Sequence, residues 1–176
     1  MARQAAGVRR PLTQGWRGPS PLAPRAMAPG PVCHHHDEPR VAVLLVDDAG
    51  YVHLTRQFRY ALGHESLEVV RGATEADEAP LVAARRELGE ELGIAAGAWT
   101  PLGRVDPDTA KLRSPVWLFL AERLTFSEAD QEGTETIRSV KLPFTEAVRQ
   151  VLLSGITHAP SCVLILKACM VRPSLG

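Results

Sequence analysis

The chain has 176 residues, of which 45% are hydrophobic and 23% charged, as is ordinary for one globular domain with an extension. Its formal net charge is zero, but all 20 acidic residues follow position 36, together with only fifteen basic ones. This acidic body excludes nucleic acid as an expected partner, because a nucleic-acid groove needs a basic stripe. No apolar run approaches the roughly 18 residues of a membrane span, so we expect no membrane partner.

Residues 1–38 are rich in Pro, Gly and Arg, and we predict a disordered extension. This segment lacks the apolar stretch of a secretory signal. Its arginines are typical of a transit peptide, but its prolines and glycines oppose an amphipathic helix; translation from Met27 is a further alternative. We expect a folded domain over residues 39–172 and a short tail at 173–176. Three cysteines without framework spacing favour a reducing compartment, and we expect a cytoplasmic location.

Hydrophobic patterns predict the elements in chain order. Two strands, Val41–Val46 and Tyr51–Gln57, are joined by a turn, and a third, Ser66–Arg71, ends at Gly72. A helix is predicted from Ala79 to Leu92, since Pro80 suits its first turn and Gly93 the position just past its end. The remaining predicted elements are strands near Leu102–Val105, Val116–Glu122 and Ile137–Leu142, and helices near Thr145–Leu153 and Ser161–Met170. Mixed strands and helices indicate an α/β fold whose sheet is covered on both faces.

The predicted helix carries an acidic face opposite its apolar stripe. Glu87, Glu90 and Glu91 have the spacing i, i+3 and i+4, so their side chains project together. One interpretation is a solvated face balanced by neighbouring arginines. The other is a site for hard cations, because Mg²⁺ prefers carboxylate, phosphate and water oxygens. Glycine at position 72 would let the preceding loop come close to a metal or a phosphate.

From Gly72 the chain reads GATEADEAPLVAARRELGEELGI. This segment matches all nine specified positions of the Nudix signature, Gly-x5-Glu-x7-Arg-Glu-aliphatic-x-Glu-Glu-x-Gly-aliphatic. The matching residues are Gly72, Glu78, Arg86, Glu87, Leu88, Glu90, Glu91, Gly93 and Ile94. The stretch from Arg40 to Ala168 therefore resembles the Nudix hydrolases, whose fold is an α/β/α sandwich with a mixed sheet between helices.

This resemblance implies roles for the residues of the signature. Glu87 and Glu91 correspond to metal ligands, and Glu90 to a ligand that binds directly or through water. Arg86 corresponds to a residue that hydrogen-bonds within the acidic cluster and orients it, and the carbonyl of Arg71 to a backbone metal ligand. Glu90, Glu91 and Arg86 are thus candidate catalytic residues. The implied cofactor is Mg²⁺, with Mn²⁺ as a substitute. Glu78 is more often structural in the family than metal-binding.

Within the family, the chain is most similar to the ADP-ribose and ADP-sugar pyrophosphatases. Arg56-Gln-Phe-Arg59 resembles their Arg-Gln-x-Arg strand, and Leu67-Glu68 resembles the start of their Leu-Glu-x-Pro-x-Gly approach. Arg56, Arg59 and Glu68 are therefore candidate substrate-binding residues. Val70 and Arg71 replace the usual proline and small residue. In the segment that resembles their Gly-x-Ile-x-Asp-Ala stretch, His158 stands at the aspartate.

Two further acidic residues belong to the same resemblance. Glu135-Thr-Ile137 resembles a Glu-x-Ile segment that closes the site, which implies Glu135 as another metal ligand. The family's catalytic-base glutamate falls at Gly133, so the adjacent Glu132 is a candidate base, the alternative being a solvated loop acid. The cluster from Cys33 to Asp37 is either a site for softer metals or an incidental stretch without the spacing of a closed site.

The sequence thus predicts a metal-dependent hydrolase that cleaves ADP-ribose or an ADP-sugar to AMP and a sugar phosphate. The alternatives are a Nudix hydrolase of nucleoside triphosphates, dinucleoside polyphosphates or GDP-sugars, or a nucleotide-sensing module without turnover. The intact carboxylate cluster argues against the sensing module. The expected partner is a small nucleotide substrate, and a homodimer remains an open alternative.

Overall fold

A computed structural model of the chain describes residues 39–110, 113–127 and 137–173. The predicted extension with the Cys33–Asp37 cluster, and the residues Glu132 and Glu135, lie outside these ranges. The elements are β1 (Arg40–Val46), β2 (Tyr51–Arg59), β3 (His64–Glu68), β4 (Val70–Ala73), α1 (Pro80–Leu92), β5 (Ile94–Val105), β6 (Val116–Phe126), β7 (Arg138–Pro143), α2 (Phe144–Leu152) and α3 (Ala159–Val171).

Strand β1 lies at the centre of one mixed sheet. The main path of the sheet runs β3-β2-β1-β6-β5, with β4 pairing with β1 and β7 with β2. The pairing of β1 with β6 is parallel, whereas β1 pairs antiparallel with both β2 and β4. A central strand covered on both faces needs a nearly continuous apolar run, and the segment Val41–Val46 supplies one.

The two faces of the sheet carry separate cores, because side chains alternate along β1. Ala42, Leu44 and Val46 belong to the core that α2 and α3 cover. Val41, Val43 and Leu45 belong to the other core, which α1 covers. The predicted α/β/α sandwich is therefore confirmed. Among the described residues, no helix combines the length and the apolar character needed to cross a membrane.

The helix that carries the acidic face has the predicted limits. Pro80 stands in its first turn. At its end, Gly93 has φ 62°, and its N–H donates to the carbonyl of Gly89. This left-handed position strongly favours glycine, because any other residue would bring Cβ against the backbone. Local sequence signals alone located this helix.

Two strands differ from the prediction. The expected strand Ser66–Arg71 is two strands, β3 and β4, separated at Val69, whose N–H donates to Ser161 Oγ at 3.0 Å. Strand β5 begins at Ile94 instead of near Leu102. Its first half, IAAGAWTP, lacks a clear alternation of apolar residues, and its extended conformation comes from antiparallel pairing with β6. Neither feature has a local signal, because each depends on a distant segment.

Candidate functional site

Helix α1 presents its acidic face beside the sheet because its other face is anchored in the core. Ala83, Ala84 and Leu88 are fully buried with residues of β1 and β4. Such burial fixes the rotation of a helix about its axis, so the residues between the apolar positions have defined directions. Glu87 and Glu91 are half-buried, whereas Glu90 is exposed. The tertiary contacts of the apolar stripe therefore determine where the carboxylates lie.

Gly72 meets the helix at Glu87. A Cβ atom at position 72 would lie 1.8 Å from Cδ and 2.1 Å from Oε1 of Glu87. Both contacts are far inside van der Waals distance, so no other residue fits here unless Glu87 moves. Gly72 pairs with Val41 of β1, which holds the strand against the core. The glycine of the signature is thus required by the close approach of the backbone to a carboxylate.

Arg86 lies at the centre of the acidic cluster. Its Nε and Nη2 donate to the two carboxylate oxygens of Glu78 at 3.1 and 3.0 Å, and Nη2 also donates to the carbonyl of Ala73 at 3.0 Å. Its Nη1 donates to Glu87 at 3.1 Å and to Glu90 at 3.0 Å. A guanidinium group suits this position because its donors form a fixed planar fork. The loop after β4 and the face of α1 are therefore joined by one side chain.

Glu78 holds the loop that connects β4 to α1. Besides its paired bonds from Arg86, its Oε2 accepts the backbone N–H of Glu75 at 2.9 Å. In the same loop Asp77 has φ 60°, a conformation that costs energy for a residue with a side chain. Both oxygens of Glu78 are thus engaged within the loop. This arrangement agrees with the structural role that the resemblance implies for it.

The pKa values of these groups follow from burial and from Arg86. Burial raises the pKa of Glu87, and the nearby Arg86 only partly opposes this effect. Hydrogen bonds from Arg86 lower the pKa of Glu78. The same bonds raise the pKa of Arg86 further above its ordinary value, so this arginine carries its charge at every relevant pH. The permanent positive charge of Arg86 therefore reduces the repulsion between the carboxylates of the cluster.

The donor chemistry of the cluster fits a hard divalent cation. The face of α1 offers carboxylate oxygens, which are the ligands that such cations prefer, and Gly72 brings the backbone of β4 close to the carboxylate of Glu87. Within residues 39–110, 113–127 and 137–173, no three His, Cys, Asp or Glu side chains are grouped closely enough to hold a metal ion. Glu78, Glu87 and Glu90 are instead drawn around Arg86. Glu135, the expected additional ligand, and Glu132, the candidate base, lie outside the described residues.

A cleft of about 700 Å³ opens beside the cluster. Its lining comprises Pro39, Ala73, Thr74, Glu75, Ala76, Asp77, Glu78, Arg86 and Glu87. The volume is in the range of clefts that hold nucleotide-sized ligands. The loop between β4 and α1 thus forms the walls of a cleft that has Arg86 and Glu87 on one side.

Of the three candidate substrate-binding residues, Arg59 and Glu68 are brought together, whereas Arg56 lies apart from them. Arg56 and Arg59 are three residues apart on β2, so their side chains leave opposite faces of the strand. Arg56 lines a separate cleft of about 310 Å³ near α2, with its Nη1 3.9 Å from Glu65. Arg59 instead donates two hydrogen bonds to Glu68, at 3.0 and 2.7 Å. Their role in binding substrate stays a prediction.

Three residues around Glu68 carry contacts that the sequence did not reveal. Arg71 Nε lies 2.9 Å from Glu68 Oε2, and His158 Nδ1 lies 3.8 Å from the same oxygen. Ser161, which is fully buried, bonds both His158 and the backbone of Val69. Arg71 and His158 are two of the positions where the chain departs from the family pattern. Their departure from the family pattern marks both positions in the sequence, but only the structure shows that Arg71 and His158 both approach the carboxylate of Glu68.

The model of the NUDIX domain matches residues 36–156 of this chain. An ADP-ribose pyrophosphatase of Mycobacterium tuberculosis is 34% identical over 125 residues, which are 68% of this chain and 59% of that protein. An ADP-ribose pyrophosphatase of Bacillus subtilis is 36% identical over 95 residues, 54% of this chain and 51% of that protein. The matched region therefore spans only about half to three fifths of these curated relatives.

A solved structure described as an ADP compounds hydrolase has the same fold. It superposes with a TM-score of 0.67 over 78% of this chain and 75% of its own, at 21% sequence identity. At that identity the superposition concerns the fold alone.

Proposed function

The chain belongs to the NUDIX domain family, and we propose that it hydrolyses the pyrophosphate bond of ADP-ribose or a related ADP-sugar, giving AMP and a sugar phosphate. The observation that carries this proposal is the arrangement of Glu87 against Gly72, with Arg86 joining the carboxylates beside an open cleft. The names of the two curated relatives support ADP-ribose as the substrate.

Nudix hydrolases generally need a divalent metal ion, and we propose Mg²⁺ here, with Mn²⁺ as a substitute. When bound, such an ion neutralises phosphate charge and lowers the pKa of an attacking water. The residues proposed to hold it are Glu87, Glu90, Glu91, Glu135 and the carbonyl of Arg71. The rigid helix keeps the first three within one turn, so their relative positions are set before substrate arrives.

The remaining residues of the proposed site act on substrate and on proton transfer. Arg86 keeps the carboxylates oriented, and the acidic face with Glu90 and Glu91 is proposed to position the attacking water. Glu132 is the proposed general base. Arg56 and Arg59 are proposed to bind the nucleotide from β2, since a guanidinium group has five N–H donors and the two bonds from Arg59 to Glu68 leave others for a phosphate. A location in the cytoplasm stays a prediction.

A substrate panel tests the proposal. Initial rates are measured for ADP-ribose, an ADP-hexose, a GDP-hexose, ATP and a diadenosine polyphosphate, each with Mg²⁺ and with Mn²⁺. The expected result is the highest kcat/KM for ADP-ribose or the ADP-hexose, with AMP as a product and no turnover in excess EDTA. A clear preference for ATP, a dinucleoside polyphosphate or a GDP-hexose would contradict the proposed substrate. Absence of turnover on every member would contradict hydrolysis itself.

A further inference from the structure

Glu68 is a buried carboxylate surrounded by cationic groups. Its side chain is 3% exposed. Arg59 donates to both of its oxygens, and Arg71 Nε makes a charge contact with Oε2 at 2.9 Å. Burial alone would raise the pKa of Glu68, but Arg59, His158 and Arg71 outweigh burial and hold this pKa at about 2. The carboxylate is therefore a permanent charge inside the protein, and both of its oxygens have partners from its own chain.

Arg71 connects this carboxylate to the acidic cluster. It directly precedes Gly72, and the two residues pair with Ala42 and Val41 of β1. Gly72 in turn lies against the carboxylate of Glu87. The contact with Glu68 thus constrains Arg71, whose backbone leads directly to the close contact between Gly72 and Glu87. The path from Glu68 to Glu87 passes through only two residues, Arg71 and Gly72.

The start of helix α3 is hydrogen-bonded to the backbone between β3 and β4. Ser161 Oγ accepts the N–H of Val69 at 3.0 Å, at the break between β3 and β4. His158 lies 2.8 Å from Ser161 Oγ and 3.8 Å from Glu68 Oε2. Both residues stand at the start of α3, whose Leu164, Ile165 and Ala168 are fully buried in the core. The residue next to Glu68 is therefore fixed to a rigid element distant in sequence.

We propose that Glu68 is a positioning residue, which acts through the guanidinium of Arg71 to hold the Arg71–Gly72 backbone against Glu87. The inference rests on the proposed function, in which that backbone and Glu87 hold the metal ion. It differs from a substrate-binding role for Glu68. The Glu68 side chain is 3% exposed, and both of its oxygens already accept hydrogen bonds from Arg59, so it presents little surface to a substrate.

A double-mutant cycle tests this inference. Glu68→Gln keeps the size of the side chain and removes its charge, and Arg71→Met keeps most of the stem and removes the guanidinium. We measure kcat and KM at saturating metal, the thermal midpoint, and the affinity of nucleotide-free protein for Mn²⁺ by electron paramagnetic resonance. Each single variant is expected to lose about tenfold in kcat and several-fold in Mn²⁺ affinity. The double variant is expected to lose no more kcat and Mn²⁺ affinity than the less active single variant does, because both substitutions remove the same contact between Glu68 and Arg71.

The matched control is a second ion pair that lies away from the cluster. Arg172 Nη2 lies 2.7 Å from Glu122 Oε2, and Arg172 is largely exposed. Glu122→Gln and Arg172→Met are expected to leave kcat and Mn²⁺ affinity within twofold of wild type. A comparable loss in these variants would show that any lost ion pair disturbs the site, which would overturn the inference.

Two other outcomes would also overturn it. Additive losses in the double variant, about a hundredfold in kcat, would show that Glu68 and Arg71 act separately. A higher KM with unchanged kcat and unchanged Mn²⁺ affinity would assign Glu68 to substrate binding. If Glu68→Gln does not fold, Arg71→Met still tests the inference, since Arg59 continues to pair with Glu68. If wild type prefers another nucleotide, the proposed substrate is wrong. The double-mutant cycle is then measured with that nucleotide and by Mn²⁺ binding, so the inference about Glu68 is still tested.

Discussion

Replacing Gly72 by alanine tests whether the site depends on the contact between backbone and carboxylate. The added methyl carbon would lie 1.8 Å from Cδ, 2.1 Å from Oε1 and 2.3 Å from Cγ of Glu87. Ordinary contacts of this kind begin at about 3.4 Å. The Glu87 side chain must therefore move by more than about 1 Å. It can move without a shift of the backbone, because the obstructing atoms belong to its flexible end. The strand itself need not move.

The expected loss follows from that displacement. A misplacement of about 1 Å at a reacting centre costs on the order of a hundredfold in rate, which corresponds to about 2.7 kcal/mol. The effect on folding is expected to be small. Gly72 is absent from the glycines with positive φ, so alanine introduces no backbone strain there. The gain of up to about 1 kcal/mol from a less flexible unfolded chain offsets the weakened bond between Arg86 and Glu87.

The matched control is Gly89→Ala on the same helix. A Cβ atom at position 89 would meet nothing within 4 Å. This variant should gain about 0.5–1 kcal/mol in stability, because alanine favours the helix, and should keep its activity. We compare kcat/KM for ADP-ribose at saturating Mg²⁺ with thermal unfolding for both variants. Gly72→Ala with turnover within threefold of wild type would refute the reasoning, and so would a loss that is fully explained by unfolding.

Three further predictions concern the carboxylates, the domain boundary and a turn. Glu91→Gln should lower kcat for ADP-ribose by about a hundredfold or more while the thermal midpoint stays or rises, since a like charge is removed from α1; wild-type rates in this variant or in excess EDTA would contradict the metal site. A chain that starts at Asp37 should keep its specific activity in the same assay, and a large loss would move the proposed boundary. Asp47→Asn should lower the thermal midpoint by about 3 °C at pH 7. Burial would raise the pKa of Asp47, but Lys141 at 2.6 Å, the N–H of Tyr51 and His53 hold it well below its usual range. Because folding lowers the pKa of Asp47, its stabilising effect is complete above pH of about 4 and is lost as the pH falls further. The thermal midpoints of wild type and Asp47→Asn should therefore converge in acid. A constant difference between them down to pH of about 2 would contradict this origin.

Local patterns in the sequence were sufficient to predict helix α1 and the central strand β1. Pro80 and Gly93 mark the limits of α1 because a helix end needs particular backbone conformations in a few adjacent residues. The uninterrupted apolar run of β1 reflects burial on both faces of a sheet. The signature residues Glu87, Glu90 and Glu91 share one helical face for the same geometric reason. Each of these conclusions depends only on residues that are close to one another in the sequence.

Other features were decided only by tertiary contacts. The first half of β5 is extended because β6 pairs with it, and the strand after Ser66 is interrupted where Val69 meets a serine 92 residues away in the chain. Arg56 and Arg59, which look equivalent in the sequence, point to opposite faces of β2 and meet different partners. A carboxylate such as Glu68 has no local signature of its environment, because burial and charge partners come from strands and helices that only folding brings together.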